Sequence, residues 1–345
     1  MAHGEPVLYS LYIYAPNKVA PIIFTVLYAV SAAFYIWQWS RYKALNLTWL
    51  HLVCACFFTV GYALREYGAF NYLYKADDDM PLILFVLSQV FIYICPPLLE
   101  LANYHVLGRM FYYVPSHAPI PAGKVLSIFG GLMAIVELLN ALGVSLAANP
   151  SSDKSQQSLG GNMTIAAISI QLVVILIFIV MAGTFHRRCA KTQLGSKVVK
   201  VLLRALYASM TLIFLRCIYR LVEHIGPTQK DLDNIEALRK LNPLFRYEAV
   251  FYVFEATLML INSAIWNIWN PGRLLPRDYH VYLAADGMER VGEKVIDTRP
   301  TWAKLTHVLT FGLLYPRKKV NDASHELSEY QGARDESIPP ANPAV

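Results

Sequence analysis

Two stretches of this sequence place ionisable side chains where hydrocarbon is expected. Arg216, Arg220, Glu223 and His224 stand at i, i+4, i+7 and i+8, one face of a helix. Glu248, Tyr252 and Glu255 stand at i, i+4 and i+7 in the next apolar segment. A charge at the centre of a bilayer costs about 3 to above 10 kcal/mol, so it persists only beside a partner or a wet cavity. At about 1.5 Å per residue, Arg216 rises roughly 24 Å above Lys200. On an antiparallel neighbour Glu255 then falls at the depth of Arg216, and Glu248 near Arg220. Arg65 and Glu66 lie in the outer half of an earlier segment, Glu137 and Asn140 in another, and Glu100 and Asn103 deeper in a third. The pattern predicts a polar, hydrated cavity within a helix bundle, open or openable towards the outer leaflet. Its chemistry would be recognition of a charged head group. Glu137, Glu248 and Glu255 would attract an amine, while Arg216 and Arg220 hold those carboxylates when the site is empty. The competing reading is a set of ion pairs that only lock helices together, with Arg220–Glu223–Glu248 its best case.

No His-Glu-x-x-His, Walker A sequence or nucleophile elbow occurs, so no residue receives a catalytic role and the chain is not itself an ATP-driven pump. His51, His105 and His224 fall at mismatched depths, which argues against a zinc hydrolase; neither a metal nor a cofactor is expected. A haem or porphyrin role through His105 or His224 is a minor alternative. Of the five cysteines, Cys54, Cys56, Cys95 and Cys217 lie in apolar segments and Cys189 in a basic loop, so no disulfide framework is expected.

The elements that must position these groups follow from composition. Hydrophobic residues make up 56% of the chain and charged ones 16%, with a mean hydropathy of +0.38. Both values lean towards lipid. The net charge of +6 is spread between apolar blocks, which excludes a nucleic-acid surface. About 20 apolar residues cross the roughly 30 Å hydrocarbon layer. Spans are read at about 20–39, 48–70, 80–107, 123–148, 163–185, 201–226 and 247–270. The expected fold is therefore an all-α integral membrane bundle of seven transmembrane helices. Lys and Arg set its orientation, being more frequent in one set of loops than in the other, which places the N-terminus outside and the C-terminus in the cytoplasm. Residues 1–19 form an extracellular segment and 271–319 a cytoplasmic membrane-proximal one, with an amphipathic helix at 302–315. Residues 320–345 read as a disordered tail.

Three stretches resemble a known family. They are Ala102-Asn-Tyr104-His-Val-Leu107-Gly108-Arg109, Arg216-Cys-Ile-Tyr219-Arg220-Leu-Val-Glu223-His224, and Arg246-Tyr247-Glu248 followed by Tyr252-Val-Phe254-Glu255-Ala256 and Asn270-Pro271-Gly272-Arg273. Over roughly residues 20–290 the chain is similar to the fungal RTA-like proteins, the lipid-translocating exporter family. The resemblance implies seven spans and export or translocation of sphingoid-base-like amphiphiles with resistance to toxic ones; one branch is linked to porphyrin uptake. The expected address is the plasma membrane. It carries over to Arg216, Tyr219, Arg220, Glu223 and Glu248. The acid after Tyr-x-Phe is often Asp in the family and is Glu255 here. The candidate translocation residues are thus Arg216, Tyr219, Arg220, Glu223, Glu248, Tyr252, Glu255, Glu137, Arg65, Glu100 and Asn103. Membrane lipids and an amphipathic small molecule are the expected partners. A seven-helix lipid sensor is the rival function.

Overall fold

The structure, a computed structural model, describes residues 6–43, 45–74, 78–148, 154–191, 197–225, 235–239, 243–276, 280–284 and 288–291. The chain divides into two compact units, Met1–Gly292 and Glu293–Val345. The expected 302–315 helix and 320–345 tail lie outside the described residues.

Seven helical stretches are long and apolar enough to cross a membrane. The first two are α1 (Ala20–Tyr42) and α2 (Leu45–Phe70), and the third is built from α3 (Met80–Tyr93) and α4 (Cys95–Tyr113). Then come α5 (Ala122–Ala148), α6 (Lys154–Lys191) and α7 (Lys197–His224). Short helices α8 (Ile235–Arg239) and α9 (Pro243–Arg246) lead to the last span. That span is composite: α10 (Glu248–Phe251), a π-helical turn (Tyr252–Thr257) and α11 (Leu258–Ile268), followed by α12 (Pro271–Leu274). A small antiparallel ladder of β1 (Val281–Leu283) and β2 (Glu289–Val291) ends the described part of this unit.

Local chemistry explains the starts and breaks. Asn17 Oδ1 accepts from the amides of Val19 and Ala20 at 2.7 and 3.2 Å, satisfying donors that α1 leaves open. Lys43 ends α1 in a left-handed conformation, φ 52°, its amide returning to Trp39 O. The third span breaks at Ile94 because Pro96 and Pro97 remove two amides from the ladder and crowd the preceding turn. Hydropathy alone reads that span as one rod. The fifth starts well before the expected residue 163 because the polar run from Lys154 winds on as helix. The same helix runs on to Lys191, so Cys189 is a buried helical residue and not part of a loop.

The bundle exposes apolar faces and buries charged and polar side chains within a largely apolar core. Ile22, Val26, Val30 and Phe34 form an exposed i, i+4 stripe on α1, and Ile170, Val173, Ile177 and Val180 form another on α6. Exposed apolar faces of that extent are tolerable only in lipid. The opposite face of α1 seals to the last span, at its π-helical turn and α11, through polar contacts. Tyr28 donates to Ala256 O and Tyr35 to Ser263 O, both at 2.9 Å, and Ser31 meets Ser263 at 2.7 Å. Between lipid-facing helices such bonds average about 0.6 kcal/mol each, so close packing must supply the rest. Gly143 shows how close. A Cβ there would lie 2.6 Å from Thr164 Oγ1 and 2.8 Å from Gly160 O, so α5 and α6 cross on glycine.

Residues 6–19 fold back over the end of the bundle where α1 begins. Leu11 N donates to Tyr72 O and Tyr74 N to Tyr9 O, joining the segment to the turn after α2. Ile13 is held at φ 73°, a costly conformation for a β-branched residue, and is buried against Leu238 of α8. This end of the bundle is capped by its own N-terminus.

Candidate functional site

Arg216 projects from α7 into the middle of the bundle. Its Nε donates to both carboxylate oxygens of Glu255 at 3.0 Å, and a terminal nitrogen lies 2.9 Å from Oε1. Arg216 is 6% exposed and Glu255 not at all. Glu255 sits on the π-helical turn, a rare geometry that is frequent at functional sites. The depth matching of these two residues is what the structure shows.

The second expected match is not formed. Glu248 pairs with Arg65 of α2 at 3.5 Å, whereas Arg220 pairs with Glu223 on its own helix. Depth along a span sets height but not the direction a side chain faces, and α10 turns Glu248 towards α2. Around Arg65 a cage closes. The guanidinium carbon lies 4.3 Å from the Phe251 ring centre, 4.8 Å from Tyr12 and 5.5 Å from Tyr252. Arg65 Nε donates to the Tyr252 hydroxyl at 3.2 Å and a terminal nitrogen to the Tyr14 hydroxyl at 2.9 Å. Glu248 in turn accepts from the Asn17 amide at 2.7 Å, so the N-terminal cap is tied to this pair from both sides. Burial pushes the Tyr12 and Tyr14 phenols above their usual range, which keeps both neutral beside Arg65.

Arg220 covers the Tyr93 ring at 4.2 Å, and Tyr219 donates to Glu223 at 3.3 Å while stacking on Phe254. Beneath them, Tyr93, Pro97, Glu137, Asn140, Ile168, Gln171, Arg216 and Arg220 line an internal cavity of about 30 Å³. The polar cavity expected from sequence is present, but it is water-sized. The cavity brings Glu137 to the same space as Arg216, while Glu255 reaches that space through its pair with Arg216.

Glu100 lies deeper on α4, fully buried, accepting from the Tyr104 hydroxyl and, at 2.8 Å, from Gln171 Nε2. Asn103 faces elsewhere. Its amide nitrogen donates to Ser209 Oγ at 2.8 Å and to Met210 Sδ at 3.0 Å, and Trp266 Nε1 donates to the same Ser209 at 3.1 Å. It therefore serves as a joint between α4, α7 and α11 rather than lining the cavity. His51 packs between Tyr35 and Trp266, with ring centres 6.0 and 5.3 Å away. Among the described residues no group of three or more His, Cys, Asp and Glu side chains is arranged to hold a metal.

Sequence reasoning passed over Tyr12 and Tyr14, which complete the Arg65 cage, Asn17, which holds Glu248, and Tyr93 and Gln171, which line the cavity. A signal existed for two of them. Gln171 is a primary amide inside an otherwise apolar, charge-free span, and Tyr14 belongs to a tyrosine-rich stretch before the first helix.

The family model described as "RTA1 like protein" matches residues 50–278. The chain is 52% identical over 330 residues to a "Lipid-translocating exporter-like protein RTA1" of Leptosphaeria maculans, covering 94% of this chain and 63% of that protein. It thus spans under two thirds of that relative's length. It is 29% identical to a protein of the same name from Ajellomyces capsulatus, over 80% of this chain and 86% of the relative. It is 25% identical to the "Probable lipid transporter atnI" of Emericella nidulans, over 77% and 68%. No solved structure matches.

Proposed function

The chain belongs to the RTA1-like protein family, and from that premise we propose that it translocates amphiphiles bearing a cationic head group, of which sphingoid bases are the type, across a cell's bounding membrane and so confers resistance to them. The relatives are named as lipid exporters and transporters, which supports the lipid class. The observation that carries the head-group chemistry is the buried Arg216–Glu255 pair standing at a cavity edged by Glu137.

An isolated charge is not released cheaply here. Removing one partner of a buried pair costs about 3–5 kcal/mol. Exchange avoids that cost. An ammonium that takes the place of the guanidinium on Glu255 leaves no buried charge without a partner, provided Arg216 swings towards Glu137. The acyl chain stays in lipid between helices. Two interruptions flank the pair and supply the freedom: the Ile94–Pro97 break in the third span and the π-helical turn that carries Glu255. With the N-terminus outside, as the positive-inside bias has it, the site lies in the outer half of the bilayer, on the side of the bundle that the N-terminal cap covers.

The test is efflux of a fluorescent sphingoid base from vesicles holding the purified protein. Glu255→Asp keeps the charge and should transport. Glu255→Gln should not. Since Glu255→Gln strands an arginine and could unfold the bundle, the double variant R216M/E255Q, which buries no unpaired charge, is the decisive one. Wild-type efflux from a folded R216M/E255Q protein would remove the pair from the mechanism.

A further inference from the structure

The paired acids of this bundle each hold an arginine, Glu255 with Arg216, Glu248 with Arg65 and Glu223 with Arg220. Glu100 differs. It is fully buried on α4, and among the described residues no ion pair involves it. Its oxygens accept only from neutral donors, the Tyr104 hydroxyl and the Gln171 amide. A buried carboxyl held by neutral groups alone tolerates gain and loss of a proton in a way that an arginine-paired one does not, because no stranded cation is left behind when the charge disappears.

Its position adds the second argument. Gln171, which donates to Glu100, also lines the cavity that holds Glu137, Asn140 and Arg216. One side chain therefore separates Glu100 from the place where the head group is proposed to sit. The groups that face Glu100 come from four helices. Tyr104 stands on its own helix, Glu137 on α5, Gln171 on α6, and Arg216 and Cys217 on α7. Arg216 is engaged by Glu255, so the nearest cation is already committed.

We propose that Glu100 is a proton-binding site coupled to the cavity, so that amphiphile movement is driven by exchange against protons. The inference rests on the translocation reading above. A proton leaves water on one side, adds to a Glu100 oxygen when the Gln171 amide turns aside, and returns to water on the other side as an ammonium amphiphile crosses the opposite way. Only O–H bonds form and break. One positive charge moves in each direction, so the exchange is electrically silent. While an ammonium occupies the cavity its charge disfavours a proton on Glu100, and its departure favours one. That mutual exclusion is the coupling.

The experiment uses phosphatidylcholine vesicles with the full chain reconstituted, a pH dye inside, and a fluorescent long-chain quaternary ammonium as probe. The probe is permanently charged, so it cannot cross by shedding its own proton. Potassium with valinomycin clamps the potential. Wild-type protein should move the probe down its gradient with an opposite proton flux, and Glu100→Gln should lose that flux. Probe movement without proton flux in the wild type overturns the coupling and leaves the translocation reading standing. No probe movement at all sinks both. Proton flux that persists in Glu100→Gln removes Glu100. Where Glu100→Gln stops probe and proton together, Glu100→Asp decides: recovery of both supports the assignment, and continued loss of both overturns it.

Discussion

The Arg216–Glu255 pair should show an asymmetric double-mutant cycle. Three contacts of 2.9–3.0 Å join side chains that are almost wholly shielded from solvent. Glu255→Gln keeps the shape of the carboxyl but leaves the guanidinium without its counter-charge, and a guanidinium cannot give up its proton. The expected loss is about 3–5 kcal/mol, the range for breaking a buried pair from one side. Arg216→Met leaves a carboxyl instead, which can discharge itself by taking up a proton. Its cost should be smaller, about 1–3 kcal/mol, the desolvation penalty of a polar group left without partners. The double variant buries no charge and has a methionine of similar length in the arginine's place. It should return to within about 1 kcal/mol of wild type. Thermal unfolding of the four proteins in one detergent reads this directly. At about 2.1 cal/mol/K of unfolding entropy per residue, a chain of 345 residues shifts by roughly 1.4 °C per kcal/mol, so Glu255→Gln should melt roughly 4–7 °C below wild type. Equal losses in the two single variants, or a double variant whose loss equals their sum, would refute the reasoning.

Two further outcomes test the packing that positions the site. Gly143→Leu should destabilise the bundle by about 1–3 kcal/mol, because even its Cβ would press on the Gly160 carbonyl and Thr164 of the adjacent helix. Gly123→Ala, whose Cβ meets nothing within 4 Å, should leave the melting temperature unchanged and serves as the control. Gly68→Val should loosen the N-terminal cap, since a Cβ at that position would stand 2.5 Å from the Tyr12 hydroxyl and evict its ring from Phe85 and Arg65. Limited trypsin digestion after Lys18 should then run faster than in wild type; an unchanged rate would count against a cap held by Tyr12.

Much of the architecture was legible because hydropathy is a local property that adds along the chain. Ile170, Val173, Ile177 and Val180 mark a lipid-facing stripe with no reference to any other helix. The membership of the polar interior was legible for the same reason, since Arg216, Glu255, Glu100 and Arg65 stand out against apolar neighbours. Helix ends were less legible. The polar turns from Lys154 and the basic turns to Lys191 are helical without an apolar residue to announce it. Cys189 was misplaced on that account.

Sequence by itself determined the seven helices, the burial of charge within them and the family. Tertiary structure decided who meets whom. Depth along a span follows from counting at a constant rise, so the pairing of Arg216 with Glu255 could be anticipated. The direction a side chain faces depends on how helices are rotated and bent against each other. The Pro96-Pro97 break and the π-helical turn at Tyr252–Thr257 interrupt two of them with no trace in the periodicity. That is why Glu248 went to Arg65 and not to Arg220, why the N-terminal tyrosines joined the cage, and why Gln171 came to stand between Glu100 and the cavity.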